Sequence, residues 1–386
     1  MGPLEGVRVL DFTIFQQGPQ ASVMFADMGA DVVKVEPPKF GDLGRLLGPV
    51  GEDRFSPYFY ANNRGKRSIT LNLKNAEATK ICLQLAERSD TLLHNFRPGV
   101  MERLGLGYDD VRRVNPRIIY GHASGWGTKG RRAGHPAFDL AAQAQGGMVS
   151  VTGEPGGFPL PAGAAIADHV GAMQLALGIM TALYNRERTG VGQKVETSLL
   201  GSALSMQAWE IQFYVTHGKL GRAGRGHAYL PTIWRVFQTT DSYVVVGGMP
   251  PNRWPAFCKA VGKPDLKLDM EKIDEIYAVL DEVFPTKSTE EWMKLLEDAD
   301  CICAPVATYE DLLHDEQARA NEYVIDIEHP TQGLIPTVGP PWAFSETPAE
   351  AASAAPELGQ QTEDILQELA YSWEEITALR ERGALG

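Results

Sequence analysis

The stretch "VRVLDFTIFQQGPQASVMFADMGADVVKVE", residues 7 to 36, decides the fold class. Its first part, "VRVLDF" (7–12), is an apolar run of strand length. "QASVMFADMG" (20–29) reads as a helix stopped by Gly29, and "DVVKVE" (31–36) as a second strand ended by Pro37 and Pro38. Strand, tight turn, helix and strand in such quick succession make a parallel β-α-β unit. The alternation continues with "RSITLNL" (67–73) as a strand, "NAEATKICLQLAERS" (75–89) as a helix capped by Asn75, and "TLLHNF" (91–96) as a further strand.

An opening of this kind invites a dinucleotide reading, with Glu36 standing where a ribose ligand would be. That fingerprint needs three glycines so that backbone can approach a pyrophosphate. The turn "TIFQQGPQ" (13–20) offers only Gly18, followed by Pro19, so NAD is not expected.

The 386 residues suffice for a sizeable core, and 44% hydrophobic with 22% charged residues is ordinary for a globular protein. A formal charge of -13 argues against a nucleic-acid surface, while leaving room for a local basic pocket for an anion. No uninterrupted apolar run reaches the roughly 18 residues of a spanning helix. The start "MGPLEGVRVLDF" lacks the shape of a signal peptide. The reading is cytoplasmic, with no membrane or nucleic-acid partner. Cys82, Cys258, Cys301 and Cys303 have neither zinc nor redox spacing, and no His, Asp or Glu pattern suggests a metal.

After residue 140 the texture changes to the Gly-, Ala- and Pro-rich "AQAQGGMVSVTGEPGGFPLPAGAAIAD" (142–168). From His169 the spacing of Met173, Leu177, Met180 and Leu183 predicts an apolar helix ending near Gly190. Asp168 falls just before it, at an N-cap position worth about 1 kcal/mol, and His169 reads as a structural or solvated side chain. A Gly- and Arg-rich link follows, then "IWRVFQTTDSYVVVGG" (233–248) as two strands joined by a polar turn, and further helices. The expected organisation is an α/β chain. Its large Rossmann-like domain covers 1–215, a linker 216–227, a small α+β domain 228–325, and a return linker with a C-terminal segment 326–386.

Several stretches then carry a resemblance. "PLEGVRVLDFT" with "GADVVKVEPP", "NRGKRSITLNLK", "NFRPGVMERLGLGYDDVRRVNPRIIYG", "AIADHVGAMQLALGIMTALYNRERTGVGQKVETSLL", "APVATYEDLLHDEQ" and "APELGQQTEDIL" are similar, in this order, to the class III CoA-transferases, the group of formyl-CoA:oxalate and carnitine CoA-transferases. The resemblance implies a large Rossmann-like domain, a small domain and two linkers forming an open ring, with two rings interlocked as a dimer. The dimer is homomeric, or pairs this chain with a homologous subunit.

It implies a chemistry as well. The acid of the "IAD" motif is the family's nucleophile, here Asp168, which attacks an acyl-CoA thioester through mixed-anhydride and aspartyl-CoA thioester stages. With an unperturbed pKa of about 3.9, it is expected to be ionised at neutrality without a base. Coenzyme A and acyl-CoA enter as substrates with a small carboxylic acid, and neither metal nor NAD is called for. Gln16 matches the family's oxyanion donor, with Gln17 adjacent. Leu71, Lys74, Asn95, Phe96 and Arg103 match CoA-holding positions. Where many members carry an Arg after the second strand this chain has Pro37, so Lys39 is the expected substitute. Tyr58, Phe138 and Asp139 match substrate-lining positions.

Two departures bear on the substrate. The oxalate enzymes carry four glycines in a loop where this chain has "GRAGRGHAYLP" (221–231), so the resemblance does not extend to oxalate. Trp209, Phe213, Tyr214, Tyr229 and Trp234 suit either a pocket for a bulky acid or an ordinary core. The alternative reading is an α-methylacyl-CoA racemase, which uses the same acid as a proton carrier with a His from a "GHD" motif. In "AGHPAFDLAAQAQGG" (133–147), alignment on the acid puts Phe138 at that His and Asp139 at the Asp, with His135 displaced by three positions.

Overall fold

Six parallel strands form the centre of the larger of two units in the computed structural model, which describes residues 2–48, 55–218, 221–227, 230, 232–351 and 353–386. The chain begins with β1 (Arg8–Asp11), α1 (Gln17–Asp27), β2 (Asp31–Glu36), α2 (Pro57–Asn63), β3 (Arg67–Thr70), α3 (Ala76–Glu87), β4 (Thr91–His94), α4 (Val100–Arg103), α5 (Tyr108–Val114), β5 (Ile119–Ser124) and α6 (Asp139–Gln145). Next come α7 (Met148–Val151), α8 (Ile166–Thr189), β6 (Gln193–Ser198), α9 (Leu199–Met206), α10 (Ala208–His217), β7 (Trp234–Gln238), β8 (Tyr243–Gly247), α11 (Trp254–Ala260), α12 (Ile273–Val283), α13 (Thr289–Asp298) and β9 (Cys303–Pro305). The last part holds α14 (Tyr309–His314), α15 (Glu316–Ala320), β10 (Val324–His329), β11 (Gly333–Val338), α16 (Thr362–Glu368) and α17 (Trp373–Glu381).

The sheet order is β3-β2-β1-β4-β5-β6, with every neighbouring pair parallel. This is the doubly wound, Rossmann-like arrangement. The winding reverses between β1 and β4, which opens a crevice beyond the carboxyl ends of the strands. Alternation along the strands splits the core in two. Leu10 and Leu92 face α3 residues such as Ile81 and Leu85, while Val9 and Leu93 face Phe25 of α1 and Leu175 and Ile179 of α8.

The C-terminal segment closes one edge. The Gln361 amide oxygen accepts from the Ser68 N–H at 2.8 Å, and Thr362 Oγ1 accepts from the Thr70 N–H at 3.1 Å. Ile365, Leu366 and Leu379 complete the core on the α3 face. An otherwise open strand edge is thereby covered.

The smaller unit comprises Gly147–Ala162 and Ala208–His314. Its antiparallel sheet β7-β8-β9 packs a core of Phe237, Phe257, Phe284 and Trp292, with the Phe237 and Phe284 rings stacked at 4.4 Å. Trp209 stacks on His227 at 4.7 Å and Phe213 on His217 at 4.2 Å, so these two aromatics have ring partners within their own unit. Tyr214 and Trp234 are exposed. Tyr229 and part of "GRAGRGHAYLP" lie outside the described residues.

Among the described residues one helix, α8, is long and apolar enough to cross a membrane by length and composition alone. Polar residues such as Gln174 and Thr181 interrupt its apolar run. One face, with Ala172, Leu175, Ala176 and Ile179, belongs to the core of the larger unit. Gly190 ends it in the left-handed conformation at φ 75°.

Candidate active site

The β1–α1 turn lies at the reversal point of the sheet and is clamped from several strands. Asn95, just past β4, accepts from the Ile14 N–H at 2.8 Å and donates to the Ile14 carbonyl at 2.7 Å. Lys34 of β2 donates to the Thr13 carbonyl at 2.7 Å and pairs with Asp42 at 3.0 Å. Lys66 reaches Asp11 at 3.1 Å and the Pro19 carbonyl at 3.0 Å. Both lysines are fully buried. Against the opposing effect of burial, Lys66 and Lys34 hold the Asp11 carboxyl down at about 2, and burial lowers Lys66 to about 8.

Inside this frame Phe15 takes a left-handed φ of 64°, its N–H held by Asp42 at 3.1 Å. Gly18 lies so close to Thr13 that a Cβ would sit 2.3 Å from the Thr13 side chain. The single glycine of the turn therefore serves close packing within the protein.

Gln16, at the N-cap position of α1, makes no cap bond. Its Nε2 lies 2.8 Å from His169 Nε2. An amide nitrogen only donates, so His169 Nε2 is the unprotonated ring nitrogen. Burial lowers the His169 pKa, with Asp139 acting in the opposite sense. His169 is thus a partner of Gln16, where the sequence suggested a structural or solvated side chain.

The position of Asp168 corrects the expected cap. It lies within the first turn of α8, whose N-cap is Ala165. The capping acid comes from elsewhere in the chain: Asp139 Oδ1 accepts from the N–H groups of Ala167 at 2.7 Å and Asp168 at 3.2 Å. The Asp168 carboxylate is left without a hydrogen bond among the described residues. Burial, then the neighbouring Asp139 charge, push its pKa up to about 7. This corrects the expectation of a fully ionised acid at neutrality. Tyr58 of α2 joins the group: burial and then the charges of Asp168 and Asp42 raise its phenol, keeping it a hydrogen-bond donor.

Phe138 is 64% exposed and packs edge-on against Phe15 at 5.5 Å. His135 is exposed, and its ring makes no hydrogen bond among the described residues. No group of three His, Cys, Asp or Glu side chains able to hold a metal occurs among the described residues.

The residues matched to CoA gather at the carboxyl ends of three strands. Lys39 follows β2, exposed and at φ 76°; Leu71 and Lys74 follow β3; Asn95 and Phe96 follow β4; and Arg103 ends α4. Lys74 and Arg103 are exposed and form no ion pair among the described residues. Leu71 is fully buried, so its side chain has no surface to offer. Phe96 is half-buried beside a stacked pair, His94 on His122 at 4.2 Å, and its carbonyl contacts His122 Nε2 at 2.9 Å.

The family model described as CoA-transferase family III matches residues 4–362. The chain belongs to this family. The transferase is 34% identical to a formyl-CoA:oxalate CoA-transferase of Streptomyces coelicolor, over 99% of either chain. It is also 34% identical to an acyl-CoA transferase of Fusarium pseudograminearum, over all of this chain and 88% of that one. Among solved structures it resembles a CAIB/BAIF family protein from Brucella suis, with a TM-score of 0.86 at 28% identity over 95% of this chain and 99% of that one.

Several residues that shape the transferase's turn escaped the sequence reading. Lys34 sits mid-strand in "DVVKVE" and Lys66 in "NRGKRS". A lysine within or just before a buried strand is a signal for a hidden acid, and Asp42 and Asp11 are those acids. Glu36 is fully engaged by Arg45 at 2.8 and 2.7 Å and by Ser68 at 2.7 Å, which explains its presence without a ribose.

Proposed function

We propose that this CoA-transferase moves CoA from an acyl-CoA to a carboxylic acid with Asp168 as nucleophile. The observation that carries the reading is a partly buried, unpaired carboxylate in the first turn of α8, flanked by Gln16, His169 and Tyr58. An Asp168 oxygen attacks the thioester carbon, the carbon–sulfur bond breaks, and CoA leaves as the thiolate. The thiolate then attacks the aspartyl carbonyl of the mixed anhydride, releasing the donor acid and leaving an Asp168–CoA thioester. An acceptor carboxylate reverses the steps. One thioester replaces another throughout.

Gln16 donates to the oxyanion formed at each attacked carbonyl, and Tyr58 is the second donor. Lys39, Lys74 and Arg103 supply cations for the phosphates of CoA, Asn95 holds the turn beneath it, and Phe96 lines the adenine, while the fully buried Leu71 supports the strand end from below. Phe138 and Asp139 border the acyl site. Phe138 has no proton to carry, which favours transfer over α-proton exchange.

Incubation with acyl-CoA and hydroxylamine trapping should label Asp168 alone by mass spectrometry. Absence of an adduct refutes the nucleophile. Rapid α-deuteration of acyl-CoA in deuterium oxide without acceptor, abolished by His135→Ala, would establish the racemase instead.

The assembly proposed is a cytoplasmic, interlocked homodimer built from a large CoA-binding domain, a linker, a small α+β domain and the returning C-terminal segment. Its support is an outward stripe on α8, where Met173, Leu177 and Tyr184 are each more than half exposed.

A further inference from the structure

A cavity of about 450 Å³ is bounded by α1, α2, β11 and the segment after it, with His169, the chain neighbour of Asp168 in α8, in its wall. Gln16, Tyr58 and His169, which the transfer reading groups with Asp168, all line it. Much of the rest is apolar: Val23, Met24, Ala61, Val338, Pro341 and Trp342. Its size falls in the range of small-molecule sites, and apolar walls with a few converging polar groups are their usual composition.

Two polar features narrow the ligand. The one cationic side chain lining the cavity among the described residues is Arg64, and it is chelated by Asp27, with Nε to Oδ1 at 3.0 Å and Nη2 to Oδ2 at 2.6 Å. A second carboxylate entering here would meet a neutralised pair. Asn62, 4% exposed, donates to the Tyr58 carbonyl at 2.7 Å, but its side-chain oxygen is buried and meets no donor among the described residues. That oxygen has no accessible surface, so this wall of the cavity offers a ligand no free acceptor.

We propose that the acid exchanged at Asp168 is a monocarboxylate with an aryl or branched apolar tail lying in this cavity. The assignment rests on the CoA-transfer reading for the carboxylate end. The tail end rests on the cavity alone.

Phenylacetate, para-hydroxyphenylacetate, acetate and oxalate serve as probes, each titrated calorimetrically into the full-length enzyme and then assayed as acceptor with acetyl-CoA as donor. The aryl acids should bind the free enzyme, the hydroxylated one no more tightly than phenylacetate, and exceed acetate and oxalate in kcat/KM. Ala61→Leu, an exposed helix position where leucine is a good helix former, fills the cavity and should cut that preference by about tenfold. Equal use of oxalate and phenylacetate, or a preference that Ala61→Leu leaves intact, overturns the proposal even where the Asp168–CoA adduct forms. Aryl-acid binding lost in Ala61→Leu, in an enzyme that forms no adduct, upholds the cavity assignment and refutes the transfer mechanism.

Discussion

Asp168 carries the most perturbed chemistry of the candidate site, and its consequences are measurable. Its carboxyl is raised from an unperturbed value near about 3.9 to about 7 by burial and then by Asp139. Transfer that needs the carboxylate should rise with pH along a single ionisation near 7, read as kcat/KM against pH. Asp139→Asn keeps an oxygen to cap α8 but removes the charge, so the profile should move to lower pH, only part of the way because burial remains. The raised value also bears on stability. Between about pH 4 and 7 the unfolded chain ionises Asp168 more readily than the native one, so this group lowers stability as pH rises through that window. Asp168→Asn removes the penalty. The inactive variant should melt higher than wild type at pH 8 and show little difference at pH 4, by calorimetry.

The β1–α1 turn is the element on which the arrangement depends. The Asp11–Lys66 pair is fully buried, and Lys66 also satisfies the Pro19 and Asn62 carbonyls and the Asn63 side chain. Lys66→Met leaves a buried charge and several acceptors unpaired, a loss of about 3–5 kcal/mol. Urea unfolding should show it, and adding Asp11→Asn should recover part of it. Gly18→Ala drives a methyl into Thr13, an overpacking penalty of about 1–3 kcal/mol. It should also impair turnover, since Gln16 moves with the turn.

The whole molecule exposes a stripe of Met173, Leu177 and Tyr184 on a helix whose other face is core. Joining the stripe to a second copy is the simplest way to remove it from water. Met173→Glu with Leu177→Glu should abolish the proposed dimer in sedimentation at micromolar concentration. In an interlocked pair helical ellipticity should fall with it, because fold and association are lost together. Retention of a dimer by this double variant would exclude α8 as the interface.

Local patterning in the sequence was enough for the parallel α/β class, several of the strands, the Asn75 cap and the stop at Gly190, because periodicity and turn chemistry act over a few residues. β5 and β6 were not singled out. Their "IYGHAS" and "QKVETS" contain too few consecutive apolar residues, and their pairing is established across the sheet. The family motifs named Asp168, Gln16 and the CoA positions as candidates, but not their surroundings. Asp139 caps α8 from 29 positions away, Gln16 meets His169 across 153, and Lys66 neutralises Asp11 across 55. Such contacts leave no periodic trace in the chain. Only the folded sheet, by bringing its strand ends to one crevice and withdrawing water from them, decides which acid caps the helix, which is buried with a lysine, and which is left unpaired with a pKa near 7.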